Sequence, residues 1–531
     1  MRETFNDALR RAIGLALVVV GVVLELRQRL EIRRYRSTQA RLRRRYAIAD
    51  ETPVLPYGPE QRASIEVAAR RCGNEARFAK TSGTTAEPKR ILYPAERVAR
   101  ARWAFIDAFA RHFATVPWRR HSFYVFSSLR DADSLTSYMM EEKRLPPYVV
   151  ALQAAYRVQA APALQVLAQR YGDVALRLWV LTLANPGFLY STNPSTLAMF
   201  LDAVQGDWMA ATALVREFVR DRRRFETDVL TIARRITSRG AAGRLRRIAQ
   251  SPAPLPLTAT VPAAHTYVCW TGGYVQPFLD RLAEHLPRDR YRLLPMYSMS
   301  TETPETTPCY RRDRVAFIPL ADGVLYEFLP EGDDDAPANL LPPHALRAGR
   351  NYSMVVSDAY GLRRYQTDDL FSCAGHVSGL PDLRFLRRRS LSYSFTGEKL
   401  TGDQVAMVLE HVRAEFPLLS RNAFLTCMPS TSRGGAPHYR LIGVVRHGEL
   451  SLTDLEAAAA RCDALLSEIN GEYGGKRASG RLGPMRGTMA RLDEFLRRVG
   501  GPRPDGWEAQ FKFLPLYRQR WDDDELVQDR G

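Results

Sequence analysis

Residues 81–89 (T-S-G-T-T-A-E-P-K) combine the side-chain types that bind phosphate oxygens. Hydroxyls can donate hydrogen bonds, a glycine lets backbone N–H groups approach closely, and a lysine supplies a point charge. These residues are Ser82, Gly83, Thr84, Thr85 and Lys89. The order differs from G-x-x-x-x-G-K-[ST], so this is not the common phosphate loop that opens a helix. We interpret it as a nucleotide-phosphate loop; a Ser/Thr-rich surface turn is the alternative.

Lysine is rare in this chain, which makes each lysine informative. Of the 76 Lys and Arg residues only six are lysines. Arginine is used wherever any positive charge suffices, so the lysines are candidates for sites that need a compact, flexible ammonium group. Lys89 ends the loop, and Lys512 stands among aromatic residues in Q-F-K-F-L-P. Lys512 could reach across to another domain, and a surface lysine that extends to solvent is the ordinary explanation for such a residue.

Two later segments carry groups that a nucleotide needs. In Y-S-M-S-T-E, Tyr297 offers an aromatic face for a base, Thr301 a hydroxyl for a phosphate oxygen, and Glu302 a carboxylate for Mg²⁺. A strand end that turns into a Thr/Pro-rich loop explains this segment equally well. In G-L-R-R-Y-Q-T-D-D-L, Asp369 is placed to take both ribose hydroxyls. The alternative is Asp368 and Asp369 in a surface turn, paired with arginines.

The elements that must hold these residues follow from the apolar pattern. The phosphate loop lies between two strand-like runs, 76–79 and 90–93. Periodic apolar residues predict helices at 95–113, 162–180 and 194–204. After the Pro-rich stretch 251–262, runs of β-branched and aromatic residues predict strands. These runs are 266–270, 315–320, 323–329 and 352–356. The pattern predicts a helix-rich first half, a sheet-rich core, and a boundary near 387–399.

Composition narrows the class of protein. A chain of 531 residues predicts two domains, and 45 % hydrophobic residues are typical of a folded protein. The six cysteines are scattered without a C-x-x-C pair, which argues for reduced thiols in the cytosol and against a zinc site. The net charge of +18 suggests nucleic acid or a membrane as partner. We expect no nucleic-acid binding, because no recognition motif accompanies the arginines.

The first 49 residues concentrate the positive charge, with twelve arginines against four acidic residues. They also contain an apolar run, 12–24, that is shorter than the roughly 20 residues of a membrane-spanning helix. No cleavage site of a secretory signal follows it. This run could form either a buried helix or an interfacial membrane anchor. We favour contact of residues 10–45 with an anionic membrane surface, because arginines flank the run on both sides.

Together, the motifs resemble the acyl-acid amido synthetases of the auxin-conjugating Gretchen Hagen family, a branch of the adenylate-forming superfamily. The resemblance is strongest in A-G-R-N-Y-S-M-V-V-S-D-A-Y-G-L-R-R-Y-Q-T-D-D-L (348–370) and P-D-L-R-F-L-R-R-R-S-L-S-Y-S-F-T-G-E-K-L (381–400). It covers most of the chain from Phe78 to Pro515. The preference for arginine suggests a bacterial-type member.

The resemblance implies an α/β fold with a large two-sheet adenylate-forming domain and a small mobile α+β C-terminal domain. The expected divisions are an Arg-rich segment at 1–49, a nucleotide- and acyl-binding domain at 50–390 and a small domain at 391–531. The expected location is the cytoplasm, with attachment to the inner face of the membrane left open.

The resemblance also implies an ATP-dependent ligase. Such an enzyme uses Mg²⁺ and ATP to convert a carboxylic acid to an acyl-adenylate, then passes the acyl group to an amine such as an amino acid. Lys512 and Glu302 would be catalytic, with Glu302 as the metal ligand. Residues that would bind the nucleotide are Ser82, Gly83, Thr84, Thr85, Lys89, Tyr297, Thr301 and Asp369. An acyl-CoA ligase, or a membrane-associated scaffold that has lost turnover, is the alternative.

The sequence departs from the family pattern at a few points. Ala86 replaces a glycine in the loop, and Asp368 stands where a glycine usually precedes the ribose aspartate. The acidic motif has one residue more than Y-G-x-S-E. None of these changes removes a chemical group that the mechanism needs.

Overall fold

The computed structural model of the 531-residue chain describes the greater part of it. The described residues are 19–80, 89–114, 123–126, 161–272, 275–296, 300, 302–311, 314–389, 392–393, 398, 400–431, 436–445, 448–499 and 513–522. They divide into two compact units, one up to residue 385 and one from residue 386 onward. The predicted α/β class is confirmed, since the chain combines several sheets with many helices.

The first unit contains a four-stranded parallel sheet in the order β3-β4-β5-β6. Its strands are β3 (Phe123–Phe126), β4 (Phe188–Ser191), β5 (Thr266–Cys269) and β6 (Arg292–Pro295). Every residue of β4 and β5 is buried, as expected for a parallel sheet that helices cover on both faces.

Two short antiparallel pairs accompany this sheet. They are β1 (Phe78–Lys80) with β2 (Arg90–Leu92), and β7 (Thr307–Tyr310) with β8 (Val315–Ile318). The pairing of β1 with β2 confirms that residues 81–89 connect two strands. Because Lys80 lies opposite Arg90, both ends of this connection are held at one edge of the pair.

A second four-stranded sheet, antiparallel where its pairs are described, has the order β12-β11-β10-β9. Its strands are β9 (Leu325–Pro330), β10 (Asn351–Ser357), β11 (Tyr365–Val377) and β12 (Leu380–Arg388). The inner faces of β9–β12 pack with β1, β2 and helix Pro59–Cys72 in one hydrophobic cluster, which includes Ile91, Phe328, Met354 and Phe371. This cluster holds the first site segment against the second sheet.

The helices of the first unit occupy most of the described residues before residue 286. Residues 19–33 are helical, and the chain continues into Tyr35–Arg45. The later helices are Pro59–Cys72, Ala95–Ala114, Pro162–Tyr171, Asp173–Ala184, Pro194–Gly206, Trp208–Arg220, Thr227–Ile236, Ala241–Gln250, Leu257–Thr260 and Gln276–His285. The single helix predicted over 162–180 is wrong: Gly172, with φ +84°, ends one helix and begins another. A positive φ is easy for glycine, so the apolar period continues although the axis does not.

The second unit is an α+β arrangement around a three-stranded sheet in the order β15-β16-β17. The strands of this sheet are β15 (Phe424–Ser430), β16 (His438–Val445) and β17 (Arg486–Arg491). The same unit contains a separate pair, β13 (Ser392–Tyr393) and β14 (Leu400–Thr401). Its helices are Gly402–Glu415, Pro417–Asn422, Leu452–Ile469, Gly471–Ala478 and Leu492–Arg498. The boundaries predicted at 49/50 and 390/391 stay predictions.

Among the described residues, no helix has both the length and the apolar character needed to cross a bilayer. Residues 12–18 of the apolar run 12–24 lie outside the described residues, and 19–24 form part of the first helix.

Candidate functional site

Lys89 lies directly before β2, at the end of the predicted phosphate loop. Its Nζ donates to Glu302 Oε1 at 3.2 Å and to the hydroxyl of Tyr365 at 2.8 Å. The side chains of Lys89 and Glu302 are 14 % and 2 % exposed, so this ion pair is largely shielded from water. Two of the predicted site residues, 213 positions apart in the chain, therefore meet in the folded protein.

Aromatic rings complete the surroundings of the Lys89 ammonium group. Its Nζ is 5.5 Å from the ring centroid of Tyr365 and 5.9 Å from that of Tyr57. The Tyr57 distance lies within the range of cation–π attraction, whereas the contact with Tyr365 is the hydrogen bond to its hydroxyl. The Tyr57 hydroxyl also accepts from the N–H of Arg90 at 2.9 Å, which ties this ring to the start of β2. The ammonium group thus contacts one carboxylate, one phenol hydroxyl and one ring face.

A tight turn presents Glu302 to Lys89. The N–H of Ser300 donates to the carbonyl of Thr303 at 3.1 Å, and the N–H of Thr303 donates to Ser300 Oγ at 3.3 Å. These bonds bracket Glu302 and fix its backbone.

Arg97 fastens the same turn from the other side. This buried side chain, in helix Ala95–Ala114, donates through Nη2 to the carbonyl of Glu302 and to Asp358 Oδ2, both at 2.7 Å. Its Nη1 donates to the carbonyl of Leu92 at the end of β2, also at 2.7 Å. One guanidinium group therefore links β2, the Glu302 turn and the loop after β10, which is the use to which its planar fork is suited.

The loop after β10 holds Asp358 in place. Asp358 Oδ1 accepts from the N–H groups of Tyr360 and Leu362, at 2.8 and 3.1 Å. Gly361 has φ +100°, and a Cβ there would lie 2.6 Å from the Cα of Ile65. Only glycine allows the loop to approach helix Pro59–Cys72 this closely.

Burial affects the phenols around Arg97. Burial raises the pKa of Tyr93 to about 12, although the positive charge of Arg97 opposes the shift. Burial likewise raises the pKa of Tyr360. The guanidinium carbon of Arg97 lies 4.5 and 4.9 Å from these two ring centroids. Both phenols stay protonated at neutral pH, so their rings stabilise the arginine without adding negative charge.

Asp369 lies on a bulge of β11. Ser353 of β10 pairs with Leu370 and Val355 with Gln366, so that residues 367–369 all stand opposite Met354. Asp368 has φ +69°, a left-handed conformation that glycine and, less readily, aspartate adopt. The extra residues redirect the strand, as bulges do, and Asp369 is 3 % exposed. Asp368, which stands where the family pattern usually has a glycine, can therefore adopt the conformation that this position requires.

The predicted site residues fall into two groups. Lys89 and Glu302 are in contact, and Asp369 lies four residues beyond Tyr365 on β11. The others lie outside the described residues: Ser82, Gly83, Thr84, Thr85, Tyr297, Thr301 and Lys512. Their predicted roles stay predictions.

Sequence reasoning missed Tyr365 and Arg97. Tyr365 lies in segment 361–370, which also contains the predicted ribose ligand Asp369. Its nearness to Asp369 in the sequence could have marked it as a site residue. Arg97 had no such signal, because an arginine in the first turn of a helix usually faces solvent. Its partner Asp358 is 261 residues away.

The donor set fits a nucleotide-bound magnesium ion better than a metal held by protein alone. Among the described residues, no three His, Cys, Asp or Glu side chains lie together as metal ligands. Mg²⁺ usually takes one or two carboxylates and completes its shell with phosphate oxygens and water. A single buried carboxylate, Glu302, beside an ammonium group that can take a phosphate oxygen, suits that arrangement.

Comparison with solved structures identifies the fold. AtGH3.15, an acyl acid amido synthetase solved in complex with 2,4-DB, superposes with a TM-score of 0.66 at 13 % identity, over 97 % of this chain and 95 % of that chain. The chain therefore has the fold of the GH3 acyl acid amido synthetases. Residues 317–388, which include Asp358, Tyr365 and Asp369, match the GH3 family central domain. This match overlaps the segments whose motifs resemble the GH3, or Gretchen Hagen, family.

Curated relatives match shorter stretches. A probable indole-3-acetic acid-amido synthetase, GH3.9 of Oryza sativa subsp. japonica, is 26 % identical over 34 % of this chain and 43 % of its own length. The jasmonoyl–L-amino acid synthetase JAR4 of Nicotiana attenuata is 28 % identical over 26 % of this chain and 24 % of its own. The human GH3 domain-containing protein is 27 % identical over 30 % of this chain and 31 % of its own. The matches thus span less than half the length of these relatives.

Proposed function

We propose that this chain is an ATP-dependent acyl-acid amido synthetase, which activates a carboxylic acid as an acyl-adenylate and transfers it to an amine. The ion pair between Lys89 and Glu302 is the observation that carries the proposal. It joins the lysine that ends the proposed phosphate loop to the carboxylate of the acidic motif. The shared fold and the matched central domain support the same activity.

In the first step, a carboxylate oxygen of the acid attacks the α-phosphorus of ATP. The bond from that phosphorus to the bridging oxygen breaks, and pyrophosphate leaves. Because both reactants are anions, most of the assistance is electrostatic and positional. Lys89 and the hydroxyls of Ser82, Thr84 and Thr85 would bind phosphate oxygens. A magnesium ion on Glu302 would add positive charge between those oxygens.

The contacts of Lys89 and Glu302 suit an exchange of partners. Buried charges are costly unless paired, and Lys89 and Glu302 compensate one another at 3.2 Å. When the nucleotide enters, Lys89 can donate to a phosphate oxygen while Glu302 becomes free to hold the cation. Tyr365 accepts from Lys89 throughout, which keeps the ammonium group in position.

The remaining roles concern residues on other segments. Asp369 would hold the ribose, Tyr297 the adenine, Thr301 a phosphate oxygen, and Gly83 would let the loop backbone approach. Lys512 would neutralise the charge that develops between the carboxylate and the α-phosphate. In the second step a neutral amine attacks the acyl carbon, the bond between that carbon and the phosphate oxygen breaks, and AMP leaves. The nitrogen gives up one proton, which leaves an amide.

The names of the relatives suggest where to search for substrates. They are described as indole-3-acetic acid-amido and jasmonoyl–L-amino acid synthetases. We propose a hydrophobic carboxylic acid and an amino acid as substrates. Transfer to coenzyme A, or a fold kept without turnover, is the alternative.

Pyrophosphate release tests the proposal. Purified protein is mixed with ATP and Mg²⁺ and with indole, benzoate, jasmonate-like and medium-chain acids in turn, without amine. We expect release with one class of acid, loss of release in Lys512→Ala, and normal release in Lys476→Ala, a lysine on helix Gly471–Ala478 that has no predicted role in the site. Amino acids and coenzyme A are then added separately, and the acyl product identifies the acceptor.

If the folded protein released no pyrophosphate with any of the acids, that result would contradict the enzyme proposal and favour a scaffold. Thioester without amide would favour the CoA ligase. Location in the cytoplasm and contact of residues 10–45 with an anionic membrane are separate proposals that do not depend on this chemistry.

A further inference from the structure

The first helix of the described chain, residues 19–33, has an apolar side that faces outward. Its exposed residues are Val19, Val20, Val22, Val23, Leu26 and Leu30, each between 43 and 58 % exposed. In the described parts of the chain fifteen large hydrophobic residues are exposed, and these six lie within twelve positions. The other nine are scattered, which is normal for a protein surface, whereas a cluster marks an interaction site.

The opposite side of the same helix is fixed to the protein. Gly21 and Gln28 on this helix, and Tyr35 at the start of the next one, are buried at seven-residue intervals. Gln28 Nε2 donates to the carbonyl of Pro308 at 3.2 Å, and Arg111 Nη2 donates to the carbonyl of Leu24 at 2.8 Å. At 3.6 residues per turn, the exposed apolar side therefore points away from the body of the first unit.

A basic cavity of about 700 Å³ runs along one flank of this helix. Five of its lining residues are basic: Arg29, Arg33, Arg36, Arg311 and His344. The acidic residue in the lining, Glu25, is neutralised by Arg29 at 2.7 Å. Apolar side chains such as Ile32 and Leu380 complete the wall.

The cavity has positive charge to offer to a ligand. Within the part of the chain that the structure describes, Arg33 and Arg36 make no ion pair or hydrogen bond through their side chains. Burial and the charge of Arg36 lower the pKa of His344, which favours its neutral form. The positive charge of the cavity therefore comes from the arginines. Arginine is the residue best suited to bind phosphate, because its fork can donate two parallel hydrogen bonds.

We propose that residues 19–36 form a binding site for an anionic phospholipid membrane. The apolar side from Val19 to Leu30 lies among the acyl chains, and the cavity beside Arg33 and Arg36 takes the phosphate of one headgroup. An amphipathic helix of this kind lies in the plane of the interface, held by buried apolar area and by attraction to anionic lipid. Both components lie on residues 19–36, and the inner side of this segment already packs against the protein.

Co-sedimentation with vesicles tests this site. The full chain is mixed with vesicles of phosphatidylcholine alone and of phosphatidylcholine with phosphatidylglycerol. We expect binding to the anionic vesicles that weakens with added salt. The double variant Arg33→Ala/Arg36→Ala should bind about thirtyfold more weakly, from two arginines near the surface. Leu26→Glu/Leu30→Glu should abolish binding.

Matched controls separate the site from general charge and general hydrophobicity. Arg246→Ala/Arg247→Ala removes the same charge from exposed positions on helix Ala241–Gln250, and Leu418→Glu alters a leucine that is 65 % exposed. Both should bind vesicles like the parent chain. Retained solubility and an unchanged melting curve show that each variant folds.

Several outcomes would overturn the proposal. Equal affinity for neutral and anionic vesicles would remove the role of the cavity, and parent-like binding by Arg33→Ala/Arg36→Ala would do the same. Light scattering that shows a dimer dissolved by Leu26→Glu/Leu30→Glu, with no vesicle binding, would assign the apolar side to a second copy of the chain. Pyrophosphate release from soluble acids is measured on the same samples, so failure of one proposal is visible apart from the other.

Discussion

At the scale of single residues, Lys89 is the most testable part of the candidate site. Its Nζ contacts Glu302 and Tyr365, and it is one of only six lysines. If it holds phosphate oxygens, Lys89→Ala should lower the rate of pyrophosphate release by about a hundredfold, as loss of one preorganised donor does. Lys89→Arg should recover only part of the rate, because a guanidinium group is larger and planar. Steady-state kinetics against ATP concentration measures both.

The control for this prediction is Lys476→Ala, whose ammonium group lies 3.9 Å from the exposed Glu472. It should change neither the rate nor the KM for ATP. Parent-like kinetics in Lys89→Ala would show that the loop does not bind phosphate through this lysine.

At the scale of elements, Arg97 joins β2, the Glu302 turn and the loop after β10. Arg97→Met leaves the buried Asp358 carboxylate without its guanidinium partner, so we expect the free energy of unfolding to fall by about 3–5 kcal/mol. Urea denaturation measures the loss. Arg97→Met/Asp358→Asn removes both charges and should recover a large share of it.

A double variant no more stable than Arg97→Met alone would show that the lost bonds to the Leu92 and Glu302 carbonyls matter more than the stranded charge.

The bulge of β11 is the second element whose geometry can be tested. Because Asp368 has φ +69°, Asp368→Gly should stay within about 1 kcal/mol of the parent, since relief of the left-handed strain offsets added chain entropy. Asp368→Val should destabilise by about 1–2 kcal/mol, because a β-branched residue fits this region poorly. Thermal melting compares the two. A valine variant as stable as the glycine variant would contradict the left-handed assignment.

At the scale of the whole molecule, a buried histidine makes stability depend on pH. His438, on β16, has its pKa lowered to about 4 by burial and by the charges of Arg440 and Arg486. In the unfolded chain it titrates near 6.5. Between these values the unfolded state binds the extra proton, so stability falls as the pH drops from about 6.5 towards 4.

Replacing this group should therefore flatten the acid limb of the stability curve. His438→Gln should reduce the slope of unfolding free energy between pH 6.5 and 4 by at most about 1.4 kcal/mol per pH unit. The control is His411→Gln, at an exposed position on helix Gly402–Glu415. Urea denaturation at a series of pH values measures the slopes. Identical slopes for parent and His438→Gln would show that this histidine is not the source.

Sequence by itself determined the parts that depend on local pattern. The strands on either side of residues 81–89, the α/β class and the resemblance to the GH3 family follow from hydrophobic period, loop composition and the order of motifs. Helix ends were less secure, since Gly172 interrupts an apolar period that the sequence continues through.

Only the tertiary structure decided which groups meet. Lys89 contacts Tyr365 across 276 positions, and Arg97 contacts Asp358 across 261. Such contacts arise from the packing of helix Ala95–Ala114 and β2 against the second sheet, and no local pattern encodes them. The bulge at 367–369 is also a tertiary feature, because it is defined by the register with β10. The two consecutive aspartates do not by themselves specify a bulge. The sequence thus determined the chemical groups, and packing between distant segments decided their partners.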